Sequence, residues 1–171
     1  MVIGVMSLGK SFSVGDDVVY PAHGVGTIIA EENQIVAGND VDLYVISFVK
    51  DKMTLRVPKT RASKIGLRHL SSEDQIDSAI QILKTKAKVS KGMWSKRAQE
   101  YETKINSGSI IAIAEVLRDL HKNVDESDRS YSEKIIYDLA MNRLVNEYSV
   151  SMSLDRDEAQ NKILSILNYA R

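Results

Sequence analysis

The spacing of apolar positions changes period once along the chain. From Ser13 to Leu70 the apolar residues come in short runs: Val18-Val19-Tyr20, Val25 to Ala30, Leu43 to Val49 and Thr54 to Val57. These runs are rich in Val, Ile, Tyr and Thr and are bounded by Gly, Asn and Asp, the composition of strands separated by turns. Gly24 and Gly26 flank a tight bend, Ala37-Gly38-Asn39-Asp40 reads as a hairpin turn, and Lys50-Asp51-Lys52 reads as another. Pro21 and Pro58, the only prolines, fall at strand ends, where a missing N–H does least damage. Five short strands in roughly 55 residues predict a small, strongly bent SH3- or Tudor-like barrel.

Beyond Leu70 the repeat is helical. Ser72 with Gln75 makes a capping box ahead of Ile76, Ala79, Ile80 and Leu83. A Lys-rich break at 84–92 precedes a helix with Trp94, Ala98, Tyr101 and Ile105 in register. Ser107-Gly108-Ser109 ends that helix and caps the next, which turns Ile110, Ile113, Ala114, Leu117 and Leu120 inward. Ser130 with Glu133 opens a helix carrying Ile136, Leu139, Ala140, Leu144 and Tyr148. Asp155 with Glu158 opens the last, carrying Ala159, Ile163, Ile166 and Leu167. None of these helices reads as apolar all round, so they are expected to pack on one another as a small bundle. The expected class is α+β, with a tail over 1–12, a β-domain over 13–70 and an all-α domain over 71–171.

Composition narrows the function. The chain has no cysteine, which excludes a disulfide framework, thiol catalysis and cysteine-bound metal. No apolar run approaches the roughly 20 residues of a membrane-spanning helix. The start, MVIGVMSLGK, lacks the basic n-region of a secretory signal, and Met6 offers a second candidate start. A cytoplasmic location is expected. His23, His69 and His121 are far apart in sequence, with no second His at metal-ligand spacing. Gly24-Val25-Gly26 lacks the third glycine and the following helix of a dinucleotide loop. Asp16-Asp17 and Glu31-Glu32 are neighbours on strands, so each pair points to opposite faces. The expectation is a non-enzyme without cofactor or metal.

Net charge is zero, yet it is unevenly spread. Residues 84–104 carry seven basic side chains (Lys84, Lys86, Lys88, Lys91, Lys96, Arg97 and Lys104) against Glu100 and Glu102 alone. Such a patch can face an anion while the rest of the surface stays indifferent, or it can be a solvated linker. Trp94, the only tryptophan, stands beside it and has two readings. Its place in the 94, 98, 101, 105 stripe suggests core. Its neighbours Lys91, Lys96 and Arg97 suggest an apolar wedge held in a minor groove by phosphate contacts.

Several segments together resemble the CarD/CdnL family of RNA polymerase-binding regulators. They are Val14-Gly15-Asp16, Val18-Val19-Tyr20-Pro21-Ala22-His23-Gly24 and Thr54-Leu55-Arg56-Val57-Pro58, then Trp94-Ser95-Lys96-Arg97, Ser107-Gly108 and Ala114-Glu115-Val116-Leu117-Arg118-Asp119-Leu120. The resemblance covers roughly 12–170. Its first half is shared with the transcription-repair coupling factor, and the second half favours CarD/CdnL proper. It implies a Tudor-like domain that adds its strand edge to the polymerase β subunit, with Arg56 matching the family's contacting arginine and Thr54, Val57 and Pro58 beside it. It also implies a helical domain at the upstream edge of the melted promoter, where Trp94 wedges into the minor groove and Lys96 and Arg97, with Lys91 nearby, meet phosphates. Binding to DNA is expected to be largely sequence-independent, and the free protein is expected to be a monomer. Some relatives carry basic residues where Gln99 stands and near Gln34, so the corresponding contacts are expected to be weaker here. A rival reading is an SH3/Tudor-like adaptor for protein or RNA with no promoter role.

Overall fold

A computed structural model describes residues 11–48, 52–88, 91–121 and 130–170. The expected turn Lys50-Asp51-Lys52 therefore lies outside the described residues except for Lys52, and Met6 lies outside them as well. The chain forms two compact units, one built on residues up to Tyr20 and on Gly26–His69, the other on Pro21–Val25 and on Leu70 onward.

The first unit is built on strands β1 (Asp17–Tyr20), β2 (Gly24–Val36, which belongs to it from Gly26 onward), β3 (Asn39–Phe48), β4 (Met53–Pro58) and β5 (Arg68–His69), with one helical turn, α1 (Lys59–Ala62). They make one sheet in the order β4-β3-β2-β1-β5, and β1 with β5, β2 with β3 and β3 with β4 pair antiparallel. The outer strands β4 and β5 do not pair with each other, so the sheet is open where a barrel was expected. A bulge between Ile28 and Ala30 adds local bend and twist without closing it.

The β2–β3 hairpin turns on Ala37 and Gly38, both at positive φ, between the paired residues Val36 and Asn39. Two positive φ values in a two-residue loop match the right-handed twist of the flanking strands. β2 runs six residues past the expected end at Ala30, through Glu31, Glu32, Asn33 and Gln34. Periodicity fails there because most of those side chains are solvated. Phe12, Val18, Ile28, Tyr44, Ile46, Phe48, Val57, Ala62 and Leu67 form the core. Gly26 is fixed by that core: a Cβ there would come within 2.7 Å of Ile46 Cγ2 and 2.9 Å of Phe48.

The second unit contains α2 (Glu73–Leu83), α3 (Trp94–Asn106), α4 (Ile110–Leu120), α5 (Tyr131–Ser151) and α6 (Arg156–Tyr169). The caps form as the sequence indicates. The Ser72 hydroxyl accepts from Gln75 N–H while the Gln75 side chain accepts from Ser72 N–H, and Ser109 and Ser130 cap α4 and α5. Asp155 caps α6 through Asp157 N–H.

Helix α4 packs against α2, α3 and α5, while α6 packs against α2 and α5. α4 is buried round most of its circumference, Val116 and Arg118 included, and so departs from the one-faced pattern expected of it. The apolar stripe of α5 is diluted by Glu133 and Glu147, both turned inward. The Glu147 carboxylate accepts from Ser71 N–H at 2.8 Å, which anchors the chain just ahead of α2. His121 closes α4 by bonding to the Tyr137 hydroxyl of α5 and the Asn168 side chain of α6. Among the described residues no helix is long and apolar enough to cross a membrane.

Candidate protein and nucleic-acid interfaces

Strand β4 ends the sheet, so its outer backbone edge has no partner strand among the described residues. Its side chains alternate. Val57 is buried in the core, with Met53 and Leu55 packed against it, while Thr54 and Arg56 are exposed. Of the four residues expected to meet the polymerase, Thr54 and Arg56 present side chains to solvent. Val57 could take part only through its backbone. Pro58 is half-buried and, lacking an N–H, ends the strand before α1.

The Arg56 fork is occupied within the sheet. Its Nε donates to Glu32 Oε2 at 2.9 Å and its Nη2 to Glu32 Oε1 at 3.3 Å. Gln34 adds its side-chain N–H to the same carboxylate at 3.1 Å. The guanidinium hydrogen bond pulls the Glu32 carboxyl below the usual range and raises the Arg56 guanidinium in return. The adjacent Glu31 pairs instead with Lys59 at 3.2 Å, so the two acids do serve opposite faces. Gln34 thus helps hold Glu32 in place. Sequence spacing gives no sign of a pairing that spans 24 residues.

In the helical unit, Met93 caps α3 without a side-chain hydrogen bond and is 78% exposed. Trp94 is the first helical residue, and its placement combines both sequence readings. The ring is partly buried against the core, 6.3 Å from the Tyr101 ring, and keeps some solvent contact. Its Nε1–H donates to the Ser132 hydroxyl of α5 at 2.7 Å. Arg97 lies over both rings, its guanidinium carbon 5.5 Å from the Trp94 centroid and 6.0 Å from that of Tyr101. This is cation–π distance, and it makes Arg97 a cover for the indole as well as a charge.

Lys91 and Lys96 are exposed beside the ring. Neither they nor Lys84, Lys86 and Lys88 form an ion pair among the described residues, whereas Lys104 is bound to Glu115 at 2.8 Å. The break after α2 is tied down by a feature that the sequence did not disclose. Arg118 and Asp119 form a buried ion pair at 2.8 Å. From it Arg118 donates to the Thr85 hydroxyl at 2.8 Å, and Asp119 accepts from Lys88 N–H at 2.9 Å. The conspicuous Arg-Asp of α4 therefore holds the chain at Thr85 and Lys88, just past α2.

Residues 12–71 match the CarD-like/TRCF RID domain family and residues 78–164 match the CarD C-terminal domain family. The protein YdeB of Bacillus subtilis (strain 168), provisionally named a transcription factor, is 30% identical over 139 residues, 81% of this chain and 91% of its own. The solution structure of the 72-residue N-terminal domain of Myxococcus xanthus CarD is 31% identical, covers 36% of this chain and 85% of that one, and superposes with a TM-score of 0.30. With both of its halves matched in order and a relative aligned over most of its length, this chain belongs to the CarD family of transcription regulators.

Proposed function

We propose that the chain is a non-enzymatic cytoplasmic regulator of transcription initiation that holds the RNA polymerase β subunit with its β unit and stabilises the promoter open complex with its helical unit. The observation that carries the reading is the head of α3. A partly exposed indole, fixed through its N–H by Ser132, stands among the exposed Met93, Lys91 and Lys96. An apolar ring entering a distorted minor groove, held by cations on the flanking phosphates, is an established way to stabilise deformed DNA. Trp94 serves as the wedge, Lys91 and Lys96 as phosphate contacts, and Arg97 as both ring cover and phosphate contact.

The N-terminal match is to a domain type that interacts with the polymerase β subunit. The open edge of β4 suits that partner, because strand addition satisfies unpaired backbone groups while exposed side chains such as Thr54 and Arg56 select the partner. Tethering by the polymerase raises the local concentration of the helical unit at the promoter, so a weak, sequence-independent DNA contact suffices. The reading is tested by passing purified core polymerase over the immobilised full-length chain. Retention by the wild type and its loss in Arg56→Glu are expected. Equal retention by both would remove Arg56 from the interface, and no retention by the wild type would remove the polymerase from the proposal.

A further inference from the structure

Tyr131 is 80% exposed at the first position of α5, an unusual place for a large aromatic side chain to be left in water. Its neighbour Ser132 is the residue whose hydroxyl receives the Trp94 indole N–H. At about 100° of rotation per residue, Tyr131 and Ile135 share one flank of α5, next to Ser132 and turned away from the buried Glu133 and Ile136. Ile135 is exposed as well, and so are Lys134 on this helix and Met93, Lys91 and Lys96 at the head of α3. Apolar and aromatic side chains thus stand in or partly in solvent at both helix starts, Met93 and Trp94 on α3 and Tyr131 and Ile135 on α5, with lysines beside them and the exposed Asp138 two turns further along α5. The Trp94–Ser132 hydrogen bond fixes the two helix starts to each other.

We infer that Tyr131 is a second aromatic contact for nucleic acid, stacking on an unpaired base beside the site where Trp94 enters the duplex. This rests on the DNA-binding reading of Trp94 and adds the class of ligand that the neighbouring surface takes. A solvent-exposed phenol ring at a helix start, with lysines nearby, has the chemistry of a single-strand stacking platform. Such platforms are indifferent to base identity because every base offers a π face. The wedge would occupy the paired side of a junction between duplex and melted DNA, and the tyrosine the unpaired side.

The test uses the full-length chain at low salt and two labelled DNAs of equal length, one fully paired and one carrying a short unpaired bubble. The wild type is expected to bind the bubble DNA more tightly, by on the order of fivefold or more, as loss of one stacked base implies. Tyr131→Ala should remove that preference, leaving duplex affinity and Tm as in the wild type, while Tyr131→Phe should keep it because stacking does not need the hydroxyl. A Tyr131→Ala protein that prefers the bubble as strongly as wild type overturns the inference. So does a variant that weakens on both DNAs in proportion, or a wild type that binds both equally, and in these cases the phosphate-contact reading survives. Absence of wild-type binding to either DNA overturns that reading together with the inference.

Discussion

The two candidate surfaces are built on opposite principles. On the β unit, Arg56 stands on an edge strand, exposed, its ion-pair partner among the described residues the less accessible Glu32, and little of the core depends on it. On the helical unit, Trp94 rests partly on the core, and the ion pair of the buried Arg118 with the half-buried Asp119 holds Thr85 and Lys88. A surface of the first kind can be altered without consequence for folding. In a surface of the second kind, recognition and stability share side chains, so a substitution is read twice.

The buried ion pair should give the largest effect. Asp119→Ala leaves Arg118 in a low-dielectric site without its countercharge and frees Lys88 N–H, so a stability loss of roughly 3 kcal/mol is expected by denaturant titration. A loss no larger than that of a surface change would show that the pair does not organise this region.

Trp94→Ala comes next. Full burial would cost about 3–5 kcal/mol. A ring that is only partly covered, and gives up one hydrogen bond to an exposed serine, should cost about 2 kcal/mol, with Trp94→Phe intermediate. The fluorescence of this sole tryptophan should show partial quenching by iodide, and complete protection would return it to the core.

How much of this was visible beforehand depends on the range of the interaction. The capping residues Ser72, Ser109, Ser130 and Asp155, the Ala37-Gly38 turn and the 3.6-residue stripes are local, so spacing alone exposes them. The continuation of β2 through Glu31–Gln34 was missed because a strand with most side chains in water has no apolar alternation to detect. The single turn α1 was missed because four residues carry no period. At the interfaces, residue types identified Trp94, Lys91, Lys96 and Arg97 as a group. Long-range partners were not legible: Glu32 lies 24 residues from Arg56, and Ser132 lies 38 from Trp94. Nor did sequence reveal that Val57 faces the core, since one residue of register decides which side chains of a strand meet solvent.

Arg56→Glu should leave Tm essentially unchanged, since exposed ion pairs contribute little, while abolishing polymerase retention. A large drop in Tm would move Arg56 into the same class as Trp94 and erase the contrast between the two surfaces.

The smallest effect is on acidity. Because the folded Glu32 carboxyl titrates below its unfolded value, its pairing with Arg56 contributes stability above the ordinary carboxylate range and loses it as pH falls through the lowered folded value. Chemical shifts of the Glu32 side chain should therefore titrate below those of an unpaired glutamate, and Arg56→Ala should restore the ordinary value. An identical titration in both proteins would contradict the pairing.

The central claim, that Trp94 wedges into the minor groove at the edge of the melted promoter DNA while the β unit holds the polymerase, is tested most directly by the lifetime of the open complex. Purified polymerase on a defined promoter is challenged with a competitor in the presence of saturating wild type or Trp94→Ala, with polymerase occupancy by each variant checked independently. The account predicts equal occupancy, a longer lifetime with the wild type than without it, and most of that gain lost in Trp94→Ala. Equal lifetimes with the two proteins at equal occupancy would contradict it.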